Sequence, residues 1–165
     1  MWSSDRRKVL AFVCATAALS ACGFEPVHAP GGGGAALLGQ VQAAAPETTD
    51  DYVLVREIET RLGRSASPRL MLDYVTRVDE ERMAISSTNI TTRFNVIGSI
   101  TYELKDAGSD IVLRKGKVDS FTSYSATGST VATQSARSDA RERLMIILAD
   151  LMLTRLYADA ADLPL

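Results

Sequence analysis

Apolar and polar residues alternate along three segments of the chain, and this period of two predicts three β-strands. The first strand spans residues 70–78, and the second, which is the longest, spans 90–104. The polar segment 79–82 is predicted to form a bend or hairpin tip between them. The third strand follows a hairpin loop at 106–110 and changes phase around Gly116, where a β-bulge is expected.

Two segments repeat their apolar residues every three or four positions, which predicts amphipathic helices. The first follows the capping residues Thr48 to Asp50 and ends at Gly63. The second begins between residues 130 and 138, after an ordered loop expected over 120–133, and continues to about residue 158. Its second half, 144–153, is apolar on nearly every side, whereas a helix on one sheet needs only one apolar stripe. The surplus predicts a second contact surface, which is either the other helix or a partner protein.

These elements predict an α+β fold. A short first strand is expected over 37–44, so the order is strand, helix, three strands, helix. Short connections between consecutive strands favour antiparallel pairing. The expected architecture is a two-layer sandwich of about four mainly antiparallel strands with two helices on one face. The other face would be polar and would carry Arg77, Arg93, Asn95 and Thr101.

Residues 1–21 have the pattern of a secretory signal peptide. A positive block at 6–8 precedes an apolar and small-residue run at 9–21. This run is shorter than the roughly 20 residues that a membrane-spanning helix needs. The alternative is a buried or membrane-anchoring helix. The arginine pair in the positive block also leaves twin-arginine export open beside the general secretory route.

The segment Leu19-Ser20-Ala21-Cys22 resembles the lipobox of bacterial lipoproteins, with small residues between the Leu and the Cys. The motif predicts cleavage before Cys22, attachment of acyl chains to its thiol and usually acylation of the new amine. Two or three acyl chains anchor a protein stably, where one would be marginal. Ordinary signal cleavage near Ala21, leaving a free Cys22, is the alternative. Gly23 stands where an Asp retains many lipoproteins at the inner membrane, and this favours the outer membrane.

Residues 22–36 are expected to form a flexible tether, because they contain two Pro and four consecutive Gly. A single α+β domain is expected over 37–165. Signal cleavage would remove Cys14, so the acylated Cys22 would be the only cysteine and no disulfide could form. The only histidine, His28, lies in the tether and leaves little material for a zinc site.

The composition is that of an ordinary globular protein, with 46% hydrophobic and 23% charged residues and a formal net charge of −2. This balance argues against a strongly basic nucleic-acid-binding protein. The sequence contains no glycine-rich phosphate loop, zinc-protease motif or nucleophile elbow. The expected function is therefore not enzymatic, and neither a cofactor nor a metal is expected.

One group of cationic residues is a candidate binding site. Arg114, Lys115 and Lys117 fall within four residues, and Lys105 lies across the predicted hairpin. Such a group attracts phosphate. The alternative is a solvated strand edge, where lysines oppose edge-to-edge aggregation.

The segment 19–26, with the sequence LSACGFEP, combines the lipobox with a Cys-Gly-Phe-x-Pro opening of the mature chain. This opening and the predicted element order resemble the LptE family of lipopolysaccharide-assembly lipoproteins, and the resemblance covers nearly all of 22–165. Val27 and His28, where the family often has Tyr, and the glycine run at 31–34 depart from the family pattern.

The resemblance implies a function that the composition does not show. Members of the family lie on the periplasmic side of the outer membrane, plug the lumen of the β-barrel translocon LptD and assist its assembly. The two proteins together insert lipopolysaccharide into the outer leaflet, and no reaction is catalysed. The implied partners are LptD, lipopolysaccharide and the membrane that holds the lipid anchor. The cluster at 114–117 with Lys105 would suit the phosphates of lipid A and the core sugars.

Other functions are compatible with a small lipidated chain of this class. An auxiliary lipoprotein of a phospholipid ABC transport system is also small and mixed α/β, although the Cys-Gly-Phe-x-Pro opening argues against it. A periplasmic enzyme such as a cell-wall hydrolase would need a catalytic set that the sequence lacks. A structural envelope lipoprotein without a ligand is the third alternative.

Overall fold

The computed structural model describes residues 32–85 and 91–163, so the predicted signal peptide, Cys22 and most of the predicted tether lie outside the described residues. A single sheet has the strand order β1-β2-β3-β4, in which β1 is parallel to β2 and the other two pairs are antiparallel. The elements are α1 (Gly33–Leu37), β1 (Val41–Ala43), α2 (Thr49–Leu62), β2 (Leu70–Ile85), β3 (Thr91–Asp106), β4 (Val112–Ser125), α3 (Thr130–Asp159) and a 3₁₀ turn (Ala160–Asp162).

The long helices α2 and α3 pack together on one face of this sheet, which we call the inner face. Even-numbered residues of β2 and β3 point to it, as the alternation predicts. The architecture confirms the predicted α+β sandwich. The core is formed by β-strand residues and by leucine-rich stripes of both helices: Leu70, Leu72, Val96, Ile100, Leu104, Leu54, Ile58, Leu62, Leu144, Leu148, Met152 and Leu156.

The apolar surplus of α3 is explained mostly by this two-sided packing. One side of the helix covers the sheet, and a second side contacts α2, with ion pairs Arg56–Glu142 and Arg61–Asp150 across the helix pair. Of the two predicted alternatives, contact with the other helix is therefore confirmed. Ile147 and Leu151 are exceptions, because they stay 37% and 40% exposed.

The ends of α2 follow the sequence signals. The Thr48 hydroxyl accepts a hydrogen bond from the Asp51 N–H at 3.2 Å, and the Asp51 carboxylate accepts one from the Thr48 N–H at 3.0 Å. This reciprocal pair is a capping box, which satisfies two backbone donors at the helix start. Gly63 ends the helix with a φ of 74°, a conformation that favours glycine.

The predicted first strand over 37–44 is wrong in its first half. Only Val41–Ala43 pairs with β2. Leu37 is the last residue of α1 and is fully buried, and residues 38–40 form a turn between the two elements. The second half of the glycine run therefore belongs to the folded domain instead of a flexible tether. Gly33 is required there, because a Cβ atom at this position would collide with the Tyr157 carbonyl of α3.

The predicted hairpin tip at 79–82 is also wrong. These residues continue β2, pairing with β3 in register from Asp79↔Ile97 to Arg82↔Phe94. Polar side chains are accommodated here because Asp79 and Glu81 lie on the face away from the helices, while Glu80 has charged partners on the inner face. The connection between β2 and β3 lies in 86–90, outside the described residues.

Residues 120–125 form the end of β4, although a loop was expected over 120–133. Tyr124 pairs with Phe94 across the strands, and their rings stack with centroids 5.2 Å apart. The buried aromatic pair outweighs the low apolar content of the Ser- and Thr-rich stretch. The connection to α3 is short, since Ser129 already caps that helix through the Ala132 N–H.

The expected bulge at Gly116 is wrong in position. The register shift falls at Leu113, between the pairs Leu104↔Arg114 and Lys105↔Val112. Gly116 has a different role, because a Cβ atom there would lie 2.5 Å from the hydroxyl oxygen of Tyr102. The Tyr102 ring thus covers the glycine from the neighbouring strand.

A second close approach brings α3 onto the sheet. A Cβ atom on Gly98 would lie 2.9 Å from Cδ2 of Leu144 and 3.0 Å from Cδ1 of Leu148. We expect Gly98→Ala to lower the free energy of unfolding by about 1–3 kcal/mol, because the two leucines must shift in a closely packed core. Urea unfolding followed by circular dichroism measures the change.

Gly108→Ala is the matched control for this prediction. Its Cβ would find only the Asp106 carboxylate at 3.5 Å in an exposed loop. We expect its unfolding free energy to stay within about 0.5 kcal/mol of wild type. Equal stability of the two variants would contradict the close-approach argument.

Candidate functional site on the outer face of the sheet

The outer face of the sheet, opposite the two long helices, is the candidate site. It is formed by odd-numbered residues of β2, β3 and β4, and no other element of the described residues covers it. Cross-strand pairing places Lys115 beside Glu103 and Lys117 beside Thr101 on this face. Both lysine side chains are exposed and form no ion pair within the described residues.

Lys105 lies on the same face but is held by carboxylates. Its ammonium is 2.8 Å from Asp73, 3.8 Å from Glu103 and 3.9 Å from Asp110. The hydrogen bond to Asp73 raises the pKa of Lys105 above its ordinary value. The ammonium therefore stays charged, but its charge is largely neutralised locally.

Arg114 is separated from these lysines. It pairs with the inner-face residue Leu104 and reaches toward the helical layer, where its guanidinium donates to the Asp162 carbonyl at 3.2 Å. A second hydrogen bond goes to the Leu113 carbonyl at 2.8 Å. The predicted four-residue cationic group is thus divided: three lysines share the outer face, and Arg114 ties the C-terminal turn to β4.

The outer face carries the four predicted polar residues together with apolar ones. Arg77, Arg93 and Thr101 are exposed, and Asn95 is half-buried. Apolar side chains also lie on this face, among them Val75, Ile97 and Phe121, and Ile97 and Phe121 are direct cross-strand neighbours. Sequence reasoning missed Phe121 because it was assigned to a loop, although the alternation from Val118 to Tyr124 carries the signal.

On the inner face, a charge network lies at the end of the core. The mostly buried Glu80 accepts hydrogen bonds from Arg137 at 2.7 Å and from Tyr124 at 3.2 Å. Arg141 approaches Glu80 to 3.6 Å and also binds Asp50 at the start of α2. Burial raises the pKa of Tyr124, and the Glu80 charge raises it further. The network therefore joins β2, β4 and both long helices. Its two arginines are balanced by two carboxylates, so we interpret it as a structural contact and not as a site for an ion.

A small polar cavity lies between the start of α2 and β2. Its volume is about 300 Å³, and its lining includes Asp51, Tyr74 and Thr76. Asp51 Oδ1 and Thr76 Oγ1 are buried without a hydrogen-bond partner in the described residues. Burial, followed by the charges of Asp51 and Glu47, raises the pKa of Tyr74 to about 12. The cavity is large enough for ordered water.

The described residues contain no group of three or more His, Cys, Asp or Glu side chains that could hold a metal ion. Among the helices of the same residues, none combines the length and the apolar character that a membrane span requires.

Comparison with known families and structures gives a consistent result. The family described as LptE, lipopolysaccharide-assembly, matches residues 39–156. A lipoprotein from Caulobacter crescentus superposes with a TM-score of 0.64 at 24% identity, covering 78% of this chain and 96% of that one. The rare lipoprotein B from Shewanella oneidensis superposes with a TM-score of 0.58 at 8% identity, covering 74% and 96%. A comparison with curated protein sequences gives no match. At these identities the two structures show a shared fold.

The raised pKa of Tyr74 predicts a distinct ionisation. The phenol should ionise near pH 12, against about 10 for an ordinary tyrosine. Because the folded-state pKa is the higher one, Tyr74 contributes stability that is complete below about pH 10 and is lost as the pH rises toward 12. The ultraviolet absorbance titration of wild type minus that of Tyr74→Phe isolates this group. A difference titration centred near pH 10 would contradict the assignment.

Proposed function

The chain belongs to the LptE family of lipopolysaccharide-assembly lipoproteins, and on this basis we propose that it plugs the lumen of the outer-membrane β-barrel LptD. In this role it helps the barrel to assemble and to insert lipopolysaccharide into the outer leaflet. It acts by binding, without catalysing a reaction.

The observation that carries the proposal is the uncovered outer face. Its side chains include Arg77, Arg93, Asn95 and Thr101, and this polar character suits the polar interior of a large barrel. Strands β2 and β3 have 16 residues each. An extended strand of that length spans roughly 50 Å, enough to follow a barrel wall through the whole membrane.

The membrane anchor is the second part of the proposal. Cleavage before Cys22 and acylation of its thiol would attach the chain to the periplasmic side of the outer membrane, and Gly23 supports that destination. We expect cells that express wild type to incorporate labelled palmitate into the protein. Cys22→Ser should abolish both the label and the membrane attachment, whereas Cys14→Ser should change neither. Label retained in Cys22→Ser would contradict the assignment.

We propose that lipopolysaccharide binds to the outer-face lysines Lys115 and Lys117, with Lys105 as a neighbour. The two exposed ammonium groups are available to the phosphates of lipid A and the core. Lys105 is already engaged by Asp73, so its contribution is smaller. Arg114 faces the helical layer and contributes least.

Charge-reversal variants distinguish the contributions of these residues to lipopolysaccharide binding. We expect the double variant Lys115→Glu/Lys117→Glu to weaken lipopolysaccharide binding about tenfold or more at low salt, since each cation near an anionic lipid surface contributes about 1 kcal/mol. Arg114→Glu reverses one charge on the opposite side of β4, and we expect it to weaken binding less than either single variant, Lys115→Glu or Lys117→Glu, which changes the same charge. Fluorescence displacement of a lipopolysaccharide probe measures binding by each variant. Unchanged binding in the double variant would reject this site.

Co-purification tests the translocon assignment itself. The protein is tagged at its C-terminus and extracted from outer membranes in mild detergent. A stoichiometric large β-barrel that stays bound at high salt is the expected result. Recovery of the lipoprotein alone, or with the subunits of a phospholipid ABC transporter, would overturn the plug proposal.

A further inference from the structure

Strand β4 has a free edge. It is the last strand of the sheet, and no described residue pairs with its far side. Two arginines of α3 mark which backbone groups point there: Arg155 donates to the Lys117 carbonyl, and Arg143 donates to the Ser123 carbonyl at 3.4 Å. Because backbone groups alternate in direction along an antiparallel strand, the N–H and C=O groups of the odd residues between them also point to this edge.

Asp119 and Phe121 are those intervening residues. Their edge-facing N–H and C=O groups have no hydrogen-bond partner among the described residues. Unpaired backbone groups of this kind are a template for an added strand. The length of edge between Lys117 and Ser123 corresponds to roughly 20 Å of extended chain.

Apolar side chains flank this length of edge on both sides. On the helix side, Ile147 and Leu151 are 37% and 40% exposed and lie between Arg143 and Arg155 on one stripe, each four residues from the next. On the outer side, Phe121 is 64% exposed. We call this feature the edge groove: the edge of β4 from Lys117 to Ser123 with Ile147 and Leu151.

We propose that the edge groove binds an extended segment of a partner protein that has an apolar centre and a carboxylate near each end. The backbone of that segment pairs with β4. Its alternating side chains cover Ile147 and Leu151 on one side and Phe121 on the other. The carboxylates take the guanidinium groups of Arg143 and Arg155 from the β4 carbonyls, since a charged acceptor makes a stronger hydrogen bond than a neutral one.

Charge excludes a second copy of this chain as the occupant. In an antiparallel pairing of two β4 strands about Asp119, the exposed Asp119 carboxylates of the two copies would be direct cross-strand neighbours on the outer face. Like charges at this distance oppose the contact. The edge groove uses the backbone of Lys117 and not its ammonium group. The proposal can therefore fail while the proposed function holds.

Synthetic peptides test the edge groove on the full lipoprotein in mild detergent. The probe has about nine residues, alternating Thr and Val with Glu at both ends, and its matched peptide has Lys at both ends. Fluorescence anisotropy measures binding. We expect the Glu-ended peptide to bind at least tenfold more tightly. Equal binding of the two peptides would overturn the proposed chemistry of the occupant.

Two matched pairs of variants test the geometry. Asp119→Pro removes an edge-facing N–H without removing a ladder hydrogen bond, whereas Asp119→Ala keeps the N–H. Ile147→Glu places a charge in the groove, whereas Val131→Glu places one at a 78% exposed position of the same helix. We expect the first variant of each pair to lose at least tenfold in affinity and the second to bind as wild type does.

Equal affinities within both pairs would overturn the docking site, and so would self-association through β4. Sedimentation velocity detects such self-association. Circular dichroism confirms that each variant is folded, and Ile147→Glu, on the helix surface, keeps the test informative if Asp119→Pro fails to fold.

Discussion

The structure depends on the close approach of α3 to the centre of the sheet. Gly98 lacks the Cβ atom that would push Leu144 and Leu148 away, so the helix lies directly on β3. From that position the second side of α3 contacts α2, so the apolar residues of this helix pack against both the sheet and α2. The layers are close-packed without a disulfide among the described residues, and burial of leucine-rich stripes supplies the stability.

Hydrogen bonds and ion pairs stabilise the two ends of this packed core. Glu80 lies on the inner face of β2, where an unpaired carboxylate would be costly, and Arg137, Arg141 and Tyr124 compensate it. At the other end of β4, Arg114 donates a hydrogen bond to the Asp162 carbonyl and so holds the C-terminal turn against the strand. On the outer face, Arg77, Arg93, Lys115 and Lys117 are exposed and form no ion pair within the described residues, so their charges are available for binding.

The long elements could be predicted from the sequence because their patterns are strong. The alternation along β2 and β3 and the stripes of α2 and α3 identified the layers, and Thr48 and Gly63 identified the ends of α2. Boundaries that depend on tertiary contacts could not be predicted. Residues 79–82 are too polar to suggest a strand until Glu80 meets its arginines. Arg114 lies on the opposite face from Lys115 and Lys117 because β4 alternates regularly from residue 114 onward, and the phase change expected at Gly116 obscured this alternation.

The position of α1 determines at which end of the domain the chain enters. Gly33 lies against Tyr157, so the chain enters the domain beside the last turn of α3 and near the start of β2. A lipid-bearing segment upstream of residue 32 would therefore hold this end of the sandwich toward the bilayer. Lys115 and Lys117 would then lie nearer the membrane surface, and the last residues of β2 would lie farther from it by roughly the length of a 16-residue strand. The position of α1 would thus determine which end of the domain faces the membrane.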